Sequence, residues 1–121
     1  MKILVVDDDP VVLKSCRRVL EEEGFLVTLA GSVKEALEKL VGQSFSLLLV
    51  DLKMPEEDGL FLMERLREKR IDSPILVMSG YPTEETISRS KAFGARHFIA
   101  KPFTPDELLE AIHKVSEGGT K

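Results

Sequence analysis

At 121 residues, 43% of them apolar, the chain has the size and composition of one globular domain, which excludes a disordered tract or a fibre and needs no disulfide or metal to hold a core. A net charge of −4 argues against a nucleic-acid surface, and no apolar run approaches the roughly 20 residues of a membrane span. A single cysteine, Cys16, leaves no disulfide framework.

The first apolar run, Ile3–Val6, is too short for a signal peptide and runs straight into Asp7, Asp8 and Asp9, so a cytoplasmic chain is the expectation. Asp9-Pro10 then reads as a helix N-cap with proline at the first helical position, opening the stripe Val12, Leu13, Cys16, Val19 and Leu20. A second run, Phe25–Leu29, is followed by Ser32-Val33-Lys34-Glu35, a capping-box pattern that opens Ala36, Leu37, Leu40 and Val41. The third run, Phe45–Val50, ends in Asp51, and a helix is predicted over Leu60–Arg70. The fourth, Ile75–Met78, ends in Ser79-Gly80 and precedes a predicted helix over Thr83–Phe93, with Gly94 as its stop. The fifth, His97–Ala100, ends in Lys101-Pro102; Thr104-Pro105-Asp106-Glu107 is a further capping box, opening Leu108, Leu109, Ile112 and Val115. Residues 118–121 read as a tail or linker after one domain over 1–117.

Three of the runs are continuous rather than alternating, as in strands buried on both faces of a parallel sheet, and every gap exceeds the dozen or so residues a parallel crossover needs. The expected fold is therefore α/β, a (βα)5 doubly wound five-stranded parallel sheet. Such sheets bind ligands beyond the carboxyl ends of their strands. There the sequence delivers Asp7, Asp8 and Asp51, the hydroxyl of Ser79 and the ammonium of Lys101. Converging carboxylates repel unless a cation neutralises them. An all-oxygen donor set selects Mg2+, or Mn2+ in its place, over zinc or copper. Carboxylates, a hydroxyl and an ammonium around such an ion suit phosphoryl transfer, and one carboxylate can itself be the nucleophile. Neither a G-x-G-x-x-G nor a G-x-x-x-x-G-K-[ST] loop occurs, which disfavours nucleotide binding.

Val5-Val6-Asp7-Asp8, Val50-Asp51-Leu52-Lys53-Met54-Pro55 with Asp58-Gly59, Met78-Ser79-Gly80 and Lys101-Pro102-Phe103 resemble, in order and spacing, the motifs of response-regulator receiver domains of two-component signalling. The resemblance implies a flavodoxin-like sheet of strand order 2-1-3-4-5 and Asp51 as phospho-acceptor. It implies Mg2+ on Asp8, Asp51 and the Lys53 carbonyl, with Asp7 acting through water. Lys101 would bridge to the phosphoryl group and Ser79 would hydrogen-bond to it. Phe98 would be the switch aromatic, and the Lys101-Pro102 peptide would be cis. Lys53 and Tyr81 stand at flanking positions that tune phosphate lifetime in that family. The implied partners are a histidine kinase or histidine phosphotransfer protein, a downstream output protein or domain, and a second copy in a phosphorylation-dependent homodimer. The chain would catalyse only its own phosphorylation and dephosphorylation.

Plainer readings stand beside these. Phe98 fits an ordinary core position, Cys16 a core filler, Asp58 a turn or cap residue, and His97 and His113 lack metal-ligand spacing. The rival function is a Mg2+-dependent phosphatase of haloacid-dehalogenase type. Asp7-Asp8-Asp9-Pro10-Val11 matches its D-x-D-x-[TV] start, with Asp7 as nucleophile and Asp9 as general acid. That reading lacks a later acidic pair, has little room for a cap over the substrate, and leaves Asp51 unexplained. A third reading, a receiver-like module that never takes phosphate, predicts a missing acceptor, metal or lysine position, and none is missing.

Overall fold

A computed structural model describes residues 1–52, 59–80 and 83–118, without the side chains of 117 and 118. Strands β1 (Lys2–Val6), β2 (Leu26–Ala30), β3 (Leu47–Asp51), β4 (Ile75–Ser79) and β5 (Ala95–Ala100) alternate with helices α1 (Pro10–Glu22), α2 (Val33–Lys39), α3 (Gly59–Glu68), α4 (Glu84–Ala92) and α5 (Pro105–Gly118). All pairings are parallel and the strand order is β2-β1-β3-β4-β5. This is the expected doubly wound, flavodoxin-like sheet.

Alternation along each strand divides the core into two layers. Ile3, Val5, Leu47, Leu49, Leu76, Met78 and Ile99 pack with Cys16 and Leu20 of α1 and Leu108, Ala111, Ile112 and Val115 of α5. Leu4, Val6, Leu48, Val50, Ile75 and Val77 pack with Val33 and Ala36 of α2 and Leu60, Leu62, Met63 and Leu66 of α3. Every residue of β3 and β4 is buried, which is why those runs are continuous in the sequence.

The helix starts follow their capping residues. Asp9 accepts from the Val11 N–H at 2.9 Å, Ser32 from Glu35 at 3.1 Å and Thr83 from Thr86 at 3.2 Å. At α5 the box is reciprocal: the Thr104 hydroxyl accepts from the Glu107 N–H at 3.1 Å, and the Glu107 carboxylate accepts from the Thr104 N–H at 2.8 Å. At α2 it is not, because Glu35 takes the Gly31 N–H instead, at 2.9 Å.

Several boundaries differ from expectation. Helix α2 stops at Lys39 with Leu40 as its cap, and Val41 is 79% exposed rather than part of the apolar stripe; the turn continues through Gly42, whose φ of +76° suits glycine. Strand β5 begins at Ala95, two residues early, directly after Gly94 at φ +106° ends the preceding turn. Helix α5 runs to Gly118, one residue past the expected domain limit, and residues 119–121 of the expected tail lie outside the described residues.

Candidate functional site

The strand order reverses between β1 and β3, and at such a switch point the helices leave on opposite faces and open a crevice at the carboxyl ends. Asp7 follows β1 directly, its N–H donating to the Ala30 carbonyl at 3.1 Å. Asp51 is the last residue of β3. Continuing the alternation of their strands, both carboxylates fall on the α1/α5 side with Val5 and Leu49, and Lys101 joins them one position past Ala100 and two past Ile99.

One carboxylate oxygen from each of Asp7, Asp8 and Asp51 lies within 4.8 Å of the other two. Asp7 is fully buried, Asp51 is 4% exposed and Asp8 is exposed. The Lys101 ammonium reaches into this group, 2.7 Å from Asp7 Oδ2 and 3.3 Å from Asp51 Oδ2. The other Asp7 oxygen accepts the Asp9 N–H at 2.9 Å. Burial works against the charge of Lys101, but the hydrogen bond it donates to Asp7 and the pull of both carboxylates outweigh it and hold its pKa above the ordinary lysine value.

Three carboxylates face one ammonium, so among the described residues the cluster keeps an excess of negative charge. That imbalance, in an all-oxygen donor set open to solvent through Asp8, fits a hard divalent cation. The Lys53 carbonyl, expected as a further ligand, lies outside the described residues, as do Asp58 and Tyr81.

Ser79 ends β4 at 2% exposure, and its carbonyl accepts the Lys101 N–H at 2.8 Å, which ties the ends of β4 and β5 together. The alternation of β4 carries its side chain with Ile75 and Val77, the row opposite Met78. Phe98 is partly buried against that same layer, paired in register with Val77. The structure thus brings Asp7, Asp8, Asp51 and Lys101 into one cluster and sets Ser79 beside it, in the row that leads to Phe98. The Lys101-Pro102 peptide is cis, as the resemblance implied.

Asp9 spends its carboxylate on the Val11 N–H as the α1 cap. This removes the general acid of the phosphatase reading, and that reading is not supported. Cys16 is buried, and desolvation, followed by the nearby Asp7 charge, pushes its thiol up to about 11; it is core, not a nucleophile. Burial, with Lys114 and Lys91 nearby, lowers the His97 pKa.

One residue acquires a role that spacing alone did not reveal. Gly59 opens α3 with its N–H donating to the Leu52 carbonyl at 3.0 Å. A Cβ there would stand 2.5 Å from the Asp51 carbonyl oxygen and 3.0 Å from Leu52 Cα. Its only sequence signal was its place in the Asp58-Gly59 motif.

Comparison with known proteins agrees with this geometry. The family model for the response regulator receiver domain matches residues 3–113. A response regulator receiver domain protein (CheY-like) from Methanospirillum hungatei JF-1 superposes with a TM-score of 0.90 at 35% identity, covering 97% of this chain and 94% of that one. The response regulator TrrA from Thermotoga maritima, solved in complex with Mg2+-BeF, gives a TM-score of 0.83 at 32% identity, covering 94% of this chain and 97% of that one. The cell cycle response regulator CtrA of Brucella ovis is 30% identical over 115 residues, which are 95% of this chain and 50% of CtrA. The chain therefore spans half the length of that relative.

Proposed function

The chain belongs to the response regulator receiver family, and from that membership we propose that Asp51 accepts a phosphoryl group and that the charge it gains resets a partner-binding face. The observation that carries the reading is the meeting of Asp7, Asp8, Asp51 and Lys101 at the switch point, with more negative charge than Lys101 neutralises. The donor is a phosphohistidine, on a histidine kinase or a histidine phosphotransfer protein. An Asp51 carboxylate oxygen attacks phosphorus, the O–P bond forms as the P–N bond breaks, and the electron pair stays with the departing imidazole.

Lys101, already poised between Asp7 and Asp51, holds a phosphoryl oxygen as charge accumulates there. Asp8 and Asp51, with Asp7 through a water, would hold Mg2+, which supplies neutralisation of the phosphoryl charge. TrrA was solved with Mg2+-BeF, and its likeness supports that choice of ion. Hydrolysis of the acyl phosphate returns Asp51 and ends the signal.

Phosphorylation adds close to two negative charges beside Ser79. A Ser79 hydroxyl drawn toward the phosphoryl oxygens leaves the row it shares with Phe98, and the ring follows into the space. The face built from α4, β5 and α5 changes shape, and an output protein or linked output domain reads it. The setting in this account is the cytoplasm.

Intact mass after incubation with Mg2+ and acetyl phosphate tests the reading, beside an Asp51→Asn control. A labile gain of about 80 Da, one phosphoryl group, is expected in the native chain and not in the control. A gain that survives the substitution, or none in the native chain, overturns the assignment.

A further inference from the structure

We propose that Gly59 is a positioning residue for phosphoryl transfer: the missing Cβ lets the first turn of α3 press on the peptide after Asp51 and fix where the acceptor carboxylate stands. The inference rests on Asp51 being the phospho-acceptor, and it adds a residue that touches neither metal nor phosphate.

Two restraints meet at this point. The carboxylate of Asp51 is held from the front by Lys101 at 3.3 Å. Its backbone is held from behind by the Gly59 N–H bond to the Leu52 carbonyl at 3.0 Å, while the Leu52 N–H donates to the Met78 carbonyl at 3.1 Å. The approach of helix to strand is so close that a methyl group at 59 would sit 2.5 Å from the Asp51 carbonyl oxygen and 3.0 Å from Val50 Cγ1. Real contacts of this kind stop at 3.0 Å and become ordinary at 3.4 Å, so something must yield by about 0.5 to 0.9 Å, approaching the 1 Å scale at which misplaced reacting groups lose about 100-fold in rate.

The strand end is what yields. Helix α3 is locked by Leu60, Leu62, Met63 and Leu66, all buried in one layer of the core. Retreat of α3 would open a void beneath four large side chains, whereas Asp51 is the terminal residue of β3. Asp7 and Lys101 are anchored on other strands and do not follow. A Cβ at 59 therefore moves the acceptor relative to its partners while most of the core stays packed. Gly24, Gly42, Gly80 and Gly94, by contrast, face open space.

The test compares Gly59→Ala with Leu66→Ala, which hollows the same layer of the core away from Asp51. Both are assayed with Mg2+ and acetyl phosphate, with the folded fraction measured by circular dichroism in the same buffer. Gly59→Ala is expected to lose about 100-fold in maximal phosphorylation rate per folded molecule, with the half-saturating acetyl phosphate concentration changed much less. Leu66→Ala is expected to phosphorylate at the native rate per folded molecule. A Gly59→Ala rate within threefold of native, or an equal loss in Leu66→Ala, overturns the proposal. If native protein takes no phosphate on Asp51, the functional reading fails instead, so the two failures are distinguishable. Should Gly59→Ala not fold, the Gly59 amide of the native chain decides: its resonance is expected to shift with that of Asp51 on adding Mg2+ and beryllofluoride, and a Gly59 resonance that stays put while Asp51 moves overturns it.

Discussion

Asp7 has no exposed surface, and its partner is a lysine 94 residues away in the chain, at 2.7 Å. A buried pair of this kind adds little net stability when intact, but removing one partner strands the other charge. Lys101→Met keeps the apolar stem and deletes the ammonium, leaving Asp7 and Asp51 with no described cation between them. The expected cost is about 3 kcal/mol in urea unfolding with EDTA present, and most of it should return on adding Mg2+, because a divalent cation replaces the lost charge. No recovery with Mg2+ would mean that Lys101 and the ion do not share these carboxylates. The reacting groups were legible in the sequence because each follows an apolar run, and strand ends converge. The closeness of Gly59 to the Asp51 carbonyl was not, since it depends on how deeply α3 seats against β3, a packing distance that no spacing of residues encodes.

Among the elements, the strands were the easiest to read. A run such as Leu47–Val50, buried throughout, leaves no polar position to blur it. Helix ends were legible where a side chain commits to a backbone donor, as Asp9 and Thr104 do, and less so at the end of α2, where Leu40 still packs on the core as the cap but the next apolar residue, Val41, turns out to solvent. Helices α3 and α4 form a sharper contrast. Helix α3 buries five residues, and α4 buries Ser90 alone, with its C-terminal end held by Phe93 in the core and by the Arg67 guanidinium donating to the Ala92 carbonyl at 3.3 Å. Local opening is cheapest where few apolar contacts must break. Amides of α4 are therefore expected to exchange with deuterium at least 10-fold faster than those of α3 in the unphosphorylated protein, read by mass spectrometry of peptic fragments. Equal protection would place the soft part of the receiver elsewhere and remove α4 from the face proposed to respond.

At the scale of the whole molecule, one sheet separates two apolar layers, and the same residues that divide those layers project the acidic cluster from its edge. Periodicity could establish that the sheet was parallel and covered on both faces, but not the order of its strands; that order came from the motif resemblance, since crossover length alone does not say on which side of β1 a strand returns. The order matters because it makes β1 and β3 neighbours, with Val6 opposite Val50, and so brings Asp7 and Asp51 together. A ligand gripping both strand ends binds only the folded sheet, and its binding energy adds to the stability of the whole domain. At 100 times its dissociation constant, Mg2+ is expected to add about 2.7 kcal/mol, raising the melting temperature by roughly 10 °C for a chain of this length. Asp8 is the exposed member of the cluster, so Asp8→Ala removes a ligand without opening the core. With one repelling carboxylate gone, that variant should melt at or somewhat above the native temperature in EDTA and gain almost nothing from Mg2+. An equal gain in Asp8→Ala would put the ion away from these strand ends and would leave the excess negative charge there without its cation.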